Sequence, residues 1–100
     1  MRHQSFSEFL SKYSSRLATG PIALILAEDA IEIDSTIRHH LRAGCSPLLL
    51  LAPAQIGMDA GLEAQIHRID YDVHQDDALV RAVNQLIPHA LGQWVYYGYN

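Results

Sequence analysis

The chain has 100 residues, 49% hydrophobic and 18% charged, the composition of one globular domain with a single core, not of a disordered segment or a two-domain protein. Its formal net charge is −4, and the bases Arg2, Lys12, Arg16, Arg38, Arg42, Arg68 and Arg81 are scattered, so the concentrated positive face of a nucleic-acid binder is missing. The lone Cys45 excludes an internal disulfide, and no apolar run approaches the roughly 20 residues of a membrane span, so the chain is expected to be cytoplasmic.

The first predicted element is a helix. Ser5 stands three residues before Glu8, the spacing of a capping box in which each residue satisfies a free amide of the other. Phe6, Phe9, Leu10, Tyr13 and Leu17 then recur at three- and four-residue intervals and form one apolar stripe. Residues 1–20 are therefore expected to be an amphipathic N-terminal helix, closed by Thr19-Gly20-Pro21, ahead of an α/β unit over 21–100 within a single domain. "PIALILA" is a continuous apolar run of strand length, as for a strand covered on both faces. Asp29 and Glu32 signal a helix start, Ile33, Ile37 and Leu41 supply its buried face, and Gly44 closes it.

"PLLLLAP" is a second buried strand. Gly57 and Gly61 break any strong pattern from Ala54 to Gln65, leaving room for a short helical turn after Asp59. "IHRIDYDV" alternates and is expected to be a third strand, nearer an edge. Asp76 is placed to cap a last helix with Leu79, Ala82, Val83, Leu86 and Ile87 on one face, which Pro88 ends. "QWVYYGY" is the fourth strand, bringing Trp94 or Val95 into the core.

This order predicts an α/β fold: an open, mainly parallel, Rossmann-like sheet of about four strands, the first central, with helices on its faces. Ligands of such sheets bind outside the carboxyl ends of the strands, here Ala27–Asp29, Ala52–Ala54, Asp70–His74 and Gly98–Asn100. The first of these reads "AED" and contains no glycine, which excludes a P-loop or a dinucleotide fingerprint. Glu28 and Asp29 suit a ribose or base, and Asp29 equally suits a helix cap. Asp70 and Asp72 share a face of a regular strand and can hold a cation or ribose hydroxyls, whereas turn chemistry and helix capping also account for them together with Asp76 and Asp77. His39 and His40 diverge by about 100° on a helix and cannot share one metal. No catalytic residue is assigned.

With that strand order, the sequence resembles the first half of the family 2 type glycosyltransferases of bacteria, which have the A-type fold. The matching stretches are "ALILAEDAIEIDSTIRHHLRAG", with Glu28 at the family's acidic position, "LVRAVNQLI", with Arg81 and Asn84 where the family faces its nucleotide, and "QWVYYGYN". The resemblance spans about Pro21 to Asn100 and implies a nucleotide-sugar site formed by Glu28, Asp29, Asp70, Asp72, Arg81, Asn84 and Asn100. Two departures stand out. The loop after the second strand is apolar up to Asp59 where the family is rich in Asp and Ser. Gly98-Tyr99-Asn100 replaces the family's Asp-x-Asp, so no tight manganese or magnesium site is expected and no activity from the isolated chain, which resembles a degenerate or truncated donor half.

Two other readings fit parts of the sequence. Glu28, Asp29 and Asp72 resemble in order the acidic residues of a response-regulator receiver, although Gly98 stands where that family has Ser or Thr and no fifth strand supplies a lysine. A non-catalytic interaction protein is the other: placed beside the first strand, residues 93–99 become an aromatic edge suited to a homo-oligomer or a protein partner.

Overall fold

In the computed structural model, which describes all residues Met1–Asn100, the chain runs β1 (Arg2–His3), α1 (Phe6–Tyr13), a 3-10 segment (Ser14–Thr19), β2 (Ile22–Leu26), α2 (Ile33–Arg42), β3 (Leu48–Ala52), α3 (Ala60–Glu63), β4 (His67–Asp70), α4 (Ala78–Leu86), a 3-10 turn (Ile87–His89) and β5 (Val95–Tyr99). The five strands form one sheet in the order β1-β4-β3-β2-β5, and every neighbouring pair is parallel. This is the expected α/β architecture with one more strand. β2 lies inside the sheet next to the edge, flanked by β3 in a register that pairs Ala23 with Leu48 and by β5 in one that pairs Ile22 with Val95. The central strand is β3, which corrects the expectation for the first predicted strand, because β4 and β1 both add on the far side of β3. No helix is long and apolar enough to cross a membrane.

The uninterrupted apolar runs are explained by this placement. Every residue of β2 and β3 is buried, because helices cover both sheet faces and neither strand has a solvent side. Ile22, Leu24, Leu26, Leu49, Leu51 and Ile69 meet Phe6, Phe9, Leu17, Ala82 and Leu86 of the α1 and α4 side. Ala23, Ile25, Leu48 and Leu50 meet Ile33, Ile37 and Leu62 of the α2 and α3 side. Each large side chain buried in these layers contributes about 1.5–3 kcal/mol relative to exposure. Four of the expected core positions are less covered. Leu41, Leu79 and Val83 are half-buried, and Trp94 is 79% exposed, leaving Val95 as the residue of that pair that packs on the core. For Leu79, Val83 and Trp94 the cause is topological: β5 is an edge strand and α4 covers only part of its inner face.

The third predicted strand, β4, lies inside the sheet and not toward its edge, because Arg2 and His3 pair with Arg68 and Ile69 on its outer side. The Met1 ammonium fastens this junction by donating to the carbonyls of Glu63 (2.9 Å) and Ile66 (2.8 Å). Arg2 Nη2 donates to Asp70 Oδ1 at 2.9 Å and to the Ala54 carbonyl at 2.7 Å. Arg68 is 1% exposed, its Nη2 donating to the Pro53 carbonyl at 2.8 Å and its Nη1 3.8 Å from Glu63 Oε1. Burial and the neighbouring Arg2 charge lower its pKa.

Helix starts divide into two kinds. Ser5 Oγ accepts from the Glu8 amide at 3.0 Å, the cap expected from the spacing. The expected caps of α2 and α4 are corrected: the residues before them, Glu32 and Asp77, have φ of 60° and 56° and make no side-chain cap. A left-handed N-cap residue departs from the extended conformation that aims a side chain at the first free amides. Asp29 instead closes a turn ahead of α2, accepting from the Ile31 amide at 2.9 Å. Asp76 contributes its carbonyl to Arg81 Nε at 3.0 Å.

Candidate ligand rim at the carboxyl ends of the strands

Chain order reverses at β2. The chain leaves β2 toward β3 on one side and returns as β5 on the other, which makes the gap beyond the carboxyl ends of β2 and β5 the topological switch point where open α/β sheets receive ligands. Asn100 closes this gap. Its amide donates to the Leu26 carbonyl at 2.8 Å, continuing the ladder, and its Nδ2 donates to the Ile31 carbonyl at 2.6 Å. Glu28 and Asp29 lie exposed on the same loop between β2 and α2. The structure therefore brings Glu28, Asp29 and Asn100 onto one short stretch of rim.

The other sequence-selected residues are held elsewhere. Asp70 is engaged by Arg2 at 2.9 Å. Asp72 lies beyond the end of β4, where its Oδ1 accepts from the His74 amide at 3.0 Å, so the shared strand face that would pair it with Asp70 does not form. Arg81 is occupied by the Asp76 carbonyl. Asn84 is exposed and lines a groove of about 230 Å³ with Leu79, Val80, Val83 and Tyr97, away from the switch point. Between the two groups, Tyr71 is half-buried and donates its hydroxyl to the Ala78 carbonyl at 3.2 Å. Burial raises its pKa, with Arg81 opposing and Asp72 and Tyr99 reinforcing the shift.

Acidic residues concentrate at one end of the strand axis. Nine of the eleven acids, Glu28, Asp29, Glu32, Asp34, Asp59, Asp70, Asp72, Asp76 and Asp77, stand at or beyond the carboxyl ends of the strands. Arg2, Arg68 and Arg81 reach the same rim through Asp70 and the Pro53 and Asp76 carbonyls, whereas Lys12, Arg16, Arg38 and Arg42 lie on α1, the segment after it and α2, so the rim keeps an excess of acids. An anionic rim accepts hydroxyl and amino donors and opposes a bare diphosphate. No three His, Cys, Asp or Glu side chains converge as a metal-ligand set. No protein-family model, curated protein or solved structure matches the chain.

Sequence reading missed the opposite end of the sheet, where two histidines are buried. His3 Nε2 and His67 Nδ1 are 3.0 Å apart, with Phe9 and Tyr13 against the His3 ring at 5.0 and 4.8 Å. One nitrogen must donate and the other accept, so the contact requires at least one neutral ring. Burial, then the neighbouring His3 and N-terminal charges, lower the His67 pKa to about 4. Burial also lowers that of His3. Nothing local in "MRHQ" marks a strand, and the pair arises only because β1 docks on β4.

Residues missed on the other edge are Ile25, Thr36 and His40, which line a groove of about 280 Å³ with Tyr96 and Gly98. His40 Nδ1 is 2.8 Å from the Thr36 carbonyl. A carbonyl only accepts, so Nδ1 carries the proton and the neutral ring has Nε2 as an acceptor.

Proposed function

We propose that the chain is a nucleotide-binding α/β module, similar to the donor half of a glycosyltransferase and without transferase activity of its own. The observation that carries this reading is the strand order, which reverses at β2 and brings Glu28, Asp29 and Asn100 together at the carboxyl ends of β2 and β5. Those groups suit the ribose hydroxyls and base of a nucleotide sugar, while the surrounding carboxylates disfavour its diphosphate. Gly98 lacks a ligating side chain and the Asn100 amide is spent on Ile31, so the isolated chain has no carboxylate pair at the end of β5 to anchor a metal-diphosphate unit. The strand order also argues against a phosphoacceptor. A receiver sheet places its first and third strands side by side, whereas β3 lies between β2 and β4 and holds Asp72 two strand spacings, about 10 Å, from the Glu28 loop.

Calorimetry with uridine and guanosine nucleosides, UDP- and GDP-sugars, each with and without manganese, tests the reading. Weak binding of the nucleoside portion, diminished by Glu28→Gln and Asn100→Ala and without sugar release, is the expected result. Absence of heat and of thermal shift with every ligand would remove it.

A second reading is favoured by the aromatic edge. Trp94, Tyr96, Tyr97 and Tyr99 are each more than half exposed on or beside β5, whose outer side pairs with no strand of residues 1–100. Long aromatic edges of this kind pair with another chain, which makes the module a homo-oligomer.

A further inference from the structure

We infer that β5 pairs antiparallel with β5 of a second copy around a twofold axis at Tyr97, seating Tyr96 of each copy over Gly98 of the other. This inference rests on the self-association reading and adds its geometry.

The backbone fixes which groups are free. The Ile22 amide donates to the Trp94 carbonyl and the Asn100 amide to the Leu26 carbonyl, both at 2.8 Å. In a parallel ladder alternate residues direct both their N–H and C=O to the same neighbour. Trp94, Tyr96, Gly98 and Asn100 therefore turn toward β2, and Val95, Tyr97 and Tyr99 present their N–H and C=O groups to the outer edge. Antiparallel pairing needs such alternate residues to face one another as hydrogen-bonded pairs. Centred on Tyr97, the twofold opposes Tyr97 to its own copy and Val95 to Tyr99 of the other chain. All three donors and all three acceptors of each edge are then satisfied, six hydrogen bonds in all by this register. Centring on Tyr96 or Gly98 shortens the overlap of Val95–Tyr99 and leaves part of the edge unpaired.

Side chains agree with the same register. Tyr96 and Gly98 lie on the α2 face of the sheet, since their β2 partners Ala23 and Ile25 do, and the pairing places them directly opposite in the closely spaced, non-hydrogen-bonded position. A Cβ built on Gly98 meets nothing within 4 Å, and the groove in front of it is walled by Ile25, Thr36 and His40. A tyrosine ring laid across a cross-strand glycine covers exposed backbone, and the His40 Nε2 acceptor suits its hydroxyl. On the α4 face, Tyr97 meets Tyr97, and Val95 meets Tyr99, an aromatic and β-branched pair.

The area is sufficient. Aromatic side chains present about 150–250 Å² each, so Trp94, Tyr96, Tyr97 and Tyr99 at their observed exposures offer roughly 500 Å² per copy. Two copies reach the roughly 1,000 Å² that a specific interface requires, before Val80 and Leu91, both exposed, are counted. A twofold contact also closes on itself and leaves no free β5 edge for further growth.

Sedimentation of the whole chain and oxidative cross-linking of single cysteine variants in a Cys45→Ala background test the inference. The expected result is a species of twice the 11.2 kDa protomer mass at micromolar concentration, with at least a tenfold weaker association for Tyr96→Ser and a hundredfold weaker one for Tyr97→Lys, whose charges face each other across the axis. Tyr97→Cys should cross-link with itself, since opposed residues lie about 5.5 Å apart at Cα, within disulfide reach. Val95→Cys should not, its copies being four residues out of register. A dimer that links through position 95, or not through 97, overturns this register and leaves self-association standing. A chain monomeric at hundreds of micromolar overturns both and assigns the edge to another occupant.

Discussion

The two edges of the sheet are treated in opposite ways. At one, β1 is two residues long and carries Arg2; its backbone junction is fastened by the chain's own ammonium group, and α1 lays Phe9 and Tyr13 over its inner histidine. At the other, β5 offers five residues, three of them tyrosines, with no charged side chain among Val95–Tyr99. Short length, charge and a covering helix are the ordinary means of preventing edge-to-edge pairing. Their concentration at one edge and absence from the other is the contrast on which the proposed β5 contact rests.

The comparison breaks most visibly if the closed edge is undermined. Phe9 is fully buried against both His3 and His67, so Phe9→Ala should cost about 3–5 kcal/mol in urea unfolding. A loss below about 1 kcal/mol would show that α1 contributes little to that edge.

Acid should weaken the same edge next. The folded His67 pKa is lowered to about 4, below the ordinary value near 6.5, so between these values the unfolded chain binds the extra proton. Stability is then fully present above pH 6.5, falls as pH drops toward 4, and levels off below it. The loss reaches at most about 3 kcal/mol, nearer 2 with partial solvent screening. Urea midpoints measured from pH 7.5 to 4 should show this slope in the wild type, and His67→Leu should flatten it; an unchanged slope in the variant would place the titration elsewhere.

Smaller effects sharpen the contrast. Asp70→Asn removes the charge that holds the partly exposed Arg2 at 2.9 Å, and thermal unfolding should register a loss of about 0.5–1 kcal/mol that shrinks in high salt. Trp94→Ser, on the open edge, should change the stability of the dilute monomer by less than about 0.5 kcal/mol while weakening association. A large monomer destabilisation there would mean that Trp94 packs within its own chain.

The sequence by itself determined the layers of this protein. "PIALILA" and "PLLLLAP" had to be strands covered on both faces, because nothing in them tolerates water. The 3- and 4-residue recurrence of Phe6, Phe9 and Leu10, and of Ala82 and Leu86, had to place one side of each helix on the sheet, and those residues are buried there. The rim was also legible, since a parallel α/β order puts Glu28, Asp29 and Asn100 at the carboxyl ends. The tertiary structure decided what lies beside what. A strand's side chains record how deeply it is buried and not which strand it bonds to, because the pairing groups are the same backbone amides and carbonyls in every strand. Hence Arg2 and His3 became a strand only by meeting β4, Arg68 and the His3–His67 pair became buried only through that meeting, and Asp70 turned to Arg2 instead of Asp72. Trp94, apolar enough for a core, stayed in solvent because β5 closes no further layer of residues 1–100.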